Sequence, residues 1–168
     1  MCAVPSRVRS TSRSYTSGVA LTAGDRAPAF SLTDDEGRSV SNETLRGKRY
    51  VLYFYPKDDT PGCTTEACQF NDNLSQFQRL NVPVIGVSAD SAATHHSFKE
   101  KYGLRFPLLT DTERKAHQAY GAWGERPGRG VGVIRSTFVI DEQGKVKRAW
   151  YGVRPDGHAT EVLGELAK

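Results

Sequence analysis

The side chains in this chain best suited to covalent chemistry are its three cysteines, Cys2, Cys63 and Cys68. Two of them lie in Pro56-Lys57-Asp58-Asp59-Thr60-Pro61-Gly62-Cys63-Thr64-Thr65-Glu66-Ala67-Cys68. This segment follows an aromatic and β-branched run, Tyr50–Tyr55, and leads into a stretch with helical character. The carboxyl end of a central strand running into a helix N-terminus is where α/β proteins place ligands. A free thiol has a pKa of about 8.5, so little of it is thiolate at neutral pH. Unpaired N–H groups and the dipole at a helix start favour the anion, and a nearby cation adds to that. Thr60 precedes Cys63 by one helical turn, where its hydroxyl can fold back toward the sulfur. Pro56 and Pro61 stiffen the loop, and Gly62 lets backbone approach closely. Such an arrangement suits a nucleophilic thiolate. A cysteine at a helix start also reads as a small buried hydrophobe, and position alone leaves both readings open.

The elements that must hold this segment follow from periodicity. Ala29–Thr33 and Arg38–Ser41 flank the turn Asp34-Asp35-Glu36-Gly37 and form an N-terminal hairpin. Tyr50–Tyr55 and Val82–Ser88 are continuous apolar runs of strand length, as in strands buried on both faces. Helices are expected over Cys63–Leu80, over Ser91–Tyr102 with Ser91 as N-cap, and over Thr112–Tyr120. Phe106–Leu109 is extended. Thr137–Asp141 and Val146–Gly152 are strands joined at Glu142-Gln143-Gly144, and Gly157–Ala167 is a closing helix. Gly124–Gly132, rich in glycine and basic residues, reads as a loop bordering the site. The order predicts an α/β protein with a mixed central sheet flanked by helices. A βαβ unit followed by a terminal hairpin and helix is the thioredoxin-like plan.

A chain of 168 residues can bury a full core as one domain. Residues 1–20 stand apart as a Ser/Arg-rich tail, leaving 21–168 as the domain. The tail's composition cannot bury much apolar surface, so it is expected to be disordered. The same composition also fits an organelle transit peptide, the alternative to a cytoplasmic protein. The net charge of +4 is concentrated there: residues 1–24 carry Arg7, Arg9 and Arg13 and no acid, while the rest holds 20 basic and 19 acidic residues. The domain therefore lacks the charge excess that binds nucleic acid. No apolar run reaches the roughly 18 residues of a membrane helix. A low, odd cysteine count fits a reducing compartment where a thiol does chemistry, not a secreted disulfide framework.

Pro56-x-x-x-Thr60-x-x-Cys63 matches the active-site motif of peroxiredoxins. The longer string Tyr55–Cys68 closely resembles the bacterioferritin comigratory protein, or Q-type, subfamily. Arg135-Ser136-Thr137-Phe138-Val139-Ile140-Asp141 is similar to that family's arginine-bearing strand, and Gly86-Val87-Ser88-Ala89-Asp90 to its second strand end. The likeness runs from about Ala20 to Lys168. It departs at Asn71, where the subfamily often has Arg. The resemblance implies a thiol-dependent peroxidase of hydrogen peroxide and organic hydroperoxides. Cys63 would be the peroxidatic nucleophile, Thr60 a hydrogen-bond partner of thiolate and peroxide, and Arg135 the stabilising cation. Pro56 would shield the sulfur, and the N–H groups of Gly62 and Cys63 would hold peroxide oxygens. Cys68 would resolve the sulfenic acid as a Cys63–Cys68 disulfide, recycled by thioredoxin or a similar dithiol. The resemblance further implies a monomer and no metal or organic cofactor.

Other readings fit less well. A thioredoxin-like disulfide oxidoreductase needs Cys-x-x-Cys at the helix start, and the spacing here is Cys-x4-Cys. A redox sensor or holdase would be oxidised stoichiometrically without turnover. An iron–sulfur centre needs four thiolates. His95 and His96 are adjacent and do not share a helix face, which argues against zinc. The histidines are expected to be solvated or capping residues. Glu66 is expected to do no more than complement the helix dipole.

Overall fold

The computed structural model describes residues 20–167, so the expected tail falls outside it except for Ala20. Among the described residues, nine strands and five helices run in the order β1 (Ser31–Asp34), β2 (Ser39–Ser41), β3 (Tyr50–Phe54), α1 (Pro61–Asp72), α2 (Leu74–Arg79), β4 (Val84–Ser88), α3 (Ala92–Tyr102), β5 (Leu108–Thr110), α4 (Lys115–Ala119), β6 (Trp123–Arg126), β7 (Gly130–Val133), β8 (Ser136–Ile140), β9 (Val146–Tyr151) and α5 (His158–Leu166). Seven strands form one mixed sheet in the order β2-β1-β5-β4-β3-β8-β9. β3 runs parallel to β4 and antiparallel to β8, with Phe54 opposite both Val87 and Ser136. The carboxyl ends of β3 and β4 and the amino end of β8 therefore meet at one end of the sheet's central strands, and the site lies there.

Every residue of β3 is buried, because the sheet is covered on both faces. Val51, Tyr53 and Tyr55 join one core cluster with Cys63, Ala67 and Phe70 of α1 and Val162 and Leu166 of α5. Tyr50, Leu52 and Phe54 join the other with Phe30, Ala116, Tyr120 and Phe138. Each fully buried side chain of this size contributes roughly 1.5–3 kcal/mol. No helix among the described residues is long and apolar enough to cross a membrane.

The structure corrects several expectations. The single helix over Cys63–Leu80 is two helices that start at Pro61 and break at Asn73. The Asn73 side-chain amide donates to the Gln69 carbonyl at 2.8 Å, supplying the last turn of α1 with a partner. The helix expected from Thr112 starts only at Lys115, because Arg114 adopts a left-handed φ of 57°. Gly124–Gly132 is no loop: β6 and β7 pair antiparallel as a separate hairpin. The Arg126 guanidinium lies across Gly132, where a Cβ would come within 2.5 Å of it and displace that side chain. Three of the histidines expected to be solvated or capping residues are buried: His95, His117 and His158. His117 Nδ1 lies 2.6 Å from Asp111, and His158 Nε2 lies 2.8 Å from the Thr137 hydroxyl.

Candidate active site

β3 delivers the chain to a turn over residues 55–60, and α1 begins at Pro61. Thr60 holds the extended N-cap conformation, and its carbonyl accepts from the Thr64 N–H at 2.8 Å. Pro61 has no N–H to lose at this position. The N–H groups of Gly62 and Cys63 precede the first helical hydrogen bond and can face an anion. Cys63 is a free thiol, 1% exposed, packed against Tyr53 and Tyr55.

Arg135 stands immediately before β8, and the pairing of Phe54 with Ser136 brings it beside the turn. Its Nη2 donates to Cys63 Sγ at 3.3 Å, and its Nη1 donates to Glu66 Oε1 at 2.7 Å. Sulfur, guanidinium and carboxylate thus form a connected row with Arg135 between two acceptors. Burial alone would lower the pKa of Arg135, but the Glu66 carboxylate and the Cys63 sulfur outweigh it and leave the guanidinium above its usual value. It remains a cation at every working pH. Burial holds the neighbouring Tyr53 well above the usual phenol range, with the Glu66 and Cys63 charges adding to the effect, so it stays neutral.

Gly62 leaves room for this row. A Cβ there would lie 3.1 Å from Arg135 Nη2 and 3.3 Å from Pro155 Cγ, so the guanidinium would shift by a few tenths of an ångström. Gly62→Ala is expected to slow reaction with peroxide by about threefold to tenfold. Thermal stability should hold or rise, since Ala favours a helix over Gly by roughly 0.5–1 kcal/mol. Stopped-flow rates beside a melting curve would check both directions at once.

Of the residues singled out in the sequence, Cys63, Arg135 and Gly62 come together. Thr60 is adjacent, but its hydroxyl donates to the Lys57 carbonyl at 2.9 Å, so its proton is turned away from the sulfur. Pro56 opens the turn and is exposed. Cys68 lies further along α1 and is 1% exposed. Asn71, the point of departure from the resembled subfamily, bonds the Gly103 carbonyl and the Arg105 N–H at 3.0 and 2.9 Å.

The expectation for Glu66 was too modest. It is fully buried and orients Arg135. The sign was present in the sequence: Cys63, Glu66, Ala67 and Phe70 recur at helical spacing on one face. A carboxylate on an apolar face demands a cation.

The model of the AhpC/TSA family matches residues 23–149. Peroxiredoxin Bcp of Bacillus subtilis is 44% identical over 146 residues, covering 85% of this chain and 93% of that protein. Among solved structures, a cysteine-to-serine mutant of Xylella fastidiosa PrxQ superposes with a TM-score of 0.84 at 36% identity, over 89% of this chain and 98% of that one. The bacterioferritin comigratory protein of Xanthomonas campestris, studied for its alkyl peroxide reduction, gives a TM-score of 0.81 at 36% identity, over 86% and 97%. A thiol held by a largely buried arginine at a helix start, in a fold and sequence shared with these proteins, places the chain in the AhpC/TSA family as a peroxiredoxin of the Bcp/Q kind, a thiol-dependent peroxidase.

Proposed function

We propose that Cys63 is the peroxidatic residue of this enzyme, acting on hydrogen peroxide and organic hydroperoxides. The observation that carries the reading is the hydrogen bond from Arg135 to the Cys63 sulfur at the start of α1. The thiolate attacks one peroxide oxygen. An S–O bond forms, the O–O bond breaks, and the departing oxygen takes up a proton to leave as water or an alcohol. Arg135 and the N–H groups of Gly62 and Cys63 face the negative charge that develops, as an oxyanion hole does. Glu66 keeps the guanidinium in place. Thr60 can still offer an oxygen lone pair to the peroxide proton, and Pro56 narrows access to the sulfur.

Cys68 resolves the sulfenic acid in this reading. In its reduced form the Cys68 thiol attacks the oxidised sulfur, the disulfide forms and water leaves. A dithiol, thioredoxin or a similar protein, then reduces the disulfide and is itself oxidised. Both cysteines lie on α1. On a regular helix, Cα atoms five residues apart are about 8.6 Å from each other, while a disulfide needs about 4.4–6.8 Å. The first turns of α1 therefore unwind before the bond closes. We further assign the enzyme as a cytoplasmic monomer that binds neither nucleic acid nor membrane, with residues 1–20 a tail outside the domain.

Cys68→Ser is the direct test. The first turnover with peroxide should persist, steady-state turnover with a thioredoxin system should fall by about tenfold or more, and peptide mapping should lose the Cys63–Cys68 bond. In the wild type, oxidation should speed amide exchange over residues 60–75. Undiminished steady-state turnover in Cys68→Ser would assign the resolving thiol elsewhere.

A further inference from the structure

The turn that delivers Cys63 is fastened to α3 at two successive residues. On the outer side, Asp59 takes a left-handed φ of 59° and accepts from Lys101 Nζ and the Tyr102 hydroxyl, both at 2.8 Å. On the inner side, Asp58 turns its carboxylate into a closed polar cluster. Oδ1 accepts from the Tyr55 hydroxyl at 2.5 Å, and Oδ2 lies 2.6 Å from His95 Nδ1. The Asp58 N–H donates to Asp90 Oδ2 at 2.8 Å, and that carboxylate oxygen also accepts from the Ser88 hydroxyl at 2.8 Å. His95 is fully buried, and its Nε2 lies 3.0 Å from the Leu109 carbonyl oxygen.

The proton positions follow from the partners. A carbonyl oxygen only accepts, so His95 Nε2 carries a hydrogen. One further proton lies between Nδ1 and Asp58 Oδ2. Both ring nitrogens and both carboxylate oxygens are thereby satisfied. Packing alone does not call for this cluster. An apolar residue at position 95 would itself carry no polar ring to desolvate. What an apolar residue could not do is hold Asp58 from beneath. Asp58 stands two residues before the N-cap Thr60, whereas the backbone of Arg135 is set by the pairing of β8 with β3. The height of the turn therefore decides how Cys63 meets Arg135.

We propose that His95 is a positioning residue for peroxide reduction: through Asp58 it fixes the Pro56–Thr60 turn and so places the Cys63 sulfur against Arg135. This rests on Cys63 as the nucleophile, and Cys63→Ser measured alongside separates the two ideas. An active Cys63→Ser enzyme would remove that premise. An inactive one leaves the His95 claim to stand or fall on its own variants.

The experiment is a single-turnover reaction of the reduced full chain with hydrogen peroxide, read by loss of the free thiol. His95→Leu is expected to slow it by about tenfold to hundredfold, the effect of misplacing a reacting group by about an ångström. Reduction of the oxidised enzyme by dithiothreitol should be unchanged. His95→Asn puts an amide where Nδ1 stood, keeps the bond to Asp58, and should restore most of the rate. Asp58→Ala should slow the reaction as His95→Leu does, and the double variant should be no slower than either, because both break one link. A merely structural role would lower melting temperatures and leave the rates at low temperature untouched. A folded His95→Leu enzyme reacting at the wild-type rate would overturn the proposal. If that variant does not fold, a wild-type rate in Asp58→Ala would do the same.

Discussion

Replacing Cys63 with serine is expected to abolish peroxide turnover, by about four orders of magnitude or more. The sulfur is the atom that Arg135 contacts, at 3.3 Å. An alcohol in its place is not ionised at neutral pH, and only the ionised group is a competent nucleophile. The substitution removes no packing volume of consequence, so Cys63→Ser should fold and melt close to the wild type. Peroxide consumption with a thioredoxin system, measured for both proteins, gives the answer. Substantial turnover by Cys63→Ser would refute every role assigned to the residues around it.

The second large effect is expected at Arg135. Arg135→Ala should slow peroxide reduction by about 10²–10³-fold, the usual cost of losing one preorganised donor to developing charge. Alkylation of Cys63 by iodoacetamide should slow as well, since the cation beside the sulfur is gone. The loss also strands Glu66, which is fully buried and whose Oε2 already lacks a hydrogen-bond partner. Stability should therefore fall by about 3–5 kcal/mol, as when one member of a buried pair is removed. Arg135→Lys should recover part of the rate only. One ammonium cannot donate along two directions fixed by a planar fork, to Sγ and to Oε1 together. Equal peroxide rates in Arg135→Lys and the wild type would mean that charge alone matters and that the row through Glu66 does not.

How far the sequence could be read depended on whether a signal was local. The strands β3 and β4 were legible because unbroken apolar runs of that length fit only a sheet covered on both faces. Ser91 was legible as an N-cap, and it accepts from the Thr94 N–H. The break at Asn73 was hidden because Phe70, Leu74 and Phe77 keep helical spacing across it. β6 and β7 were missed because Gly124, Gly128, Gly130 and Gly132 mark a loop by composition, and these strands pair only with each other. In the site, Cys63 and Arg135 were reached through the motif. Glu66 and His95 were misjudged for one shared reason. Their partners come from distant sequence, 69 residues away for Glu66 and 37 for His95, so nothing nearby announces the pairing. His95, Phe98 and Tyr102 do share a helix face, and that periodicity was the one available sign that His95 points inward.

The far half of α1 is sewn down on two sides. The Gln69 amide donates to Asp156 Oδ1 at 2.6 Å and accepts from the Gly157 N–H at 2.7 Å, at the entrance to α5. Asn71 ties the same helix to the segment after α3. Among the described residues, Thr64 and Thr65 make no comparable side-chain tie, and the stretch around them is held through Cys63 and Glu66 to Arg135. The two cysteines are consequently unequal partners in motion. In the proposed resolution step, Cys68 sits on the sewn side of the seam as a moored post, and Cys63 swings toward it once its bond to Arg135 is released. The cycle proposed above would then flex one corner of the molecule, about two turns of helix, beside the aromatic floor of Tyr53, Phe70 and Phe77. Opening and shutting of that kind would have to rebuild only the Cys63 corner of the core, not the whole of it.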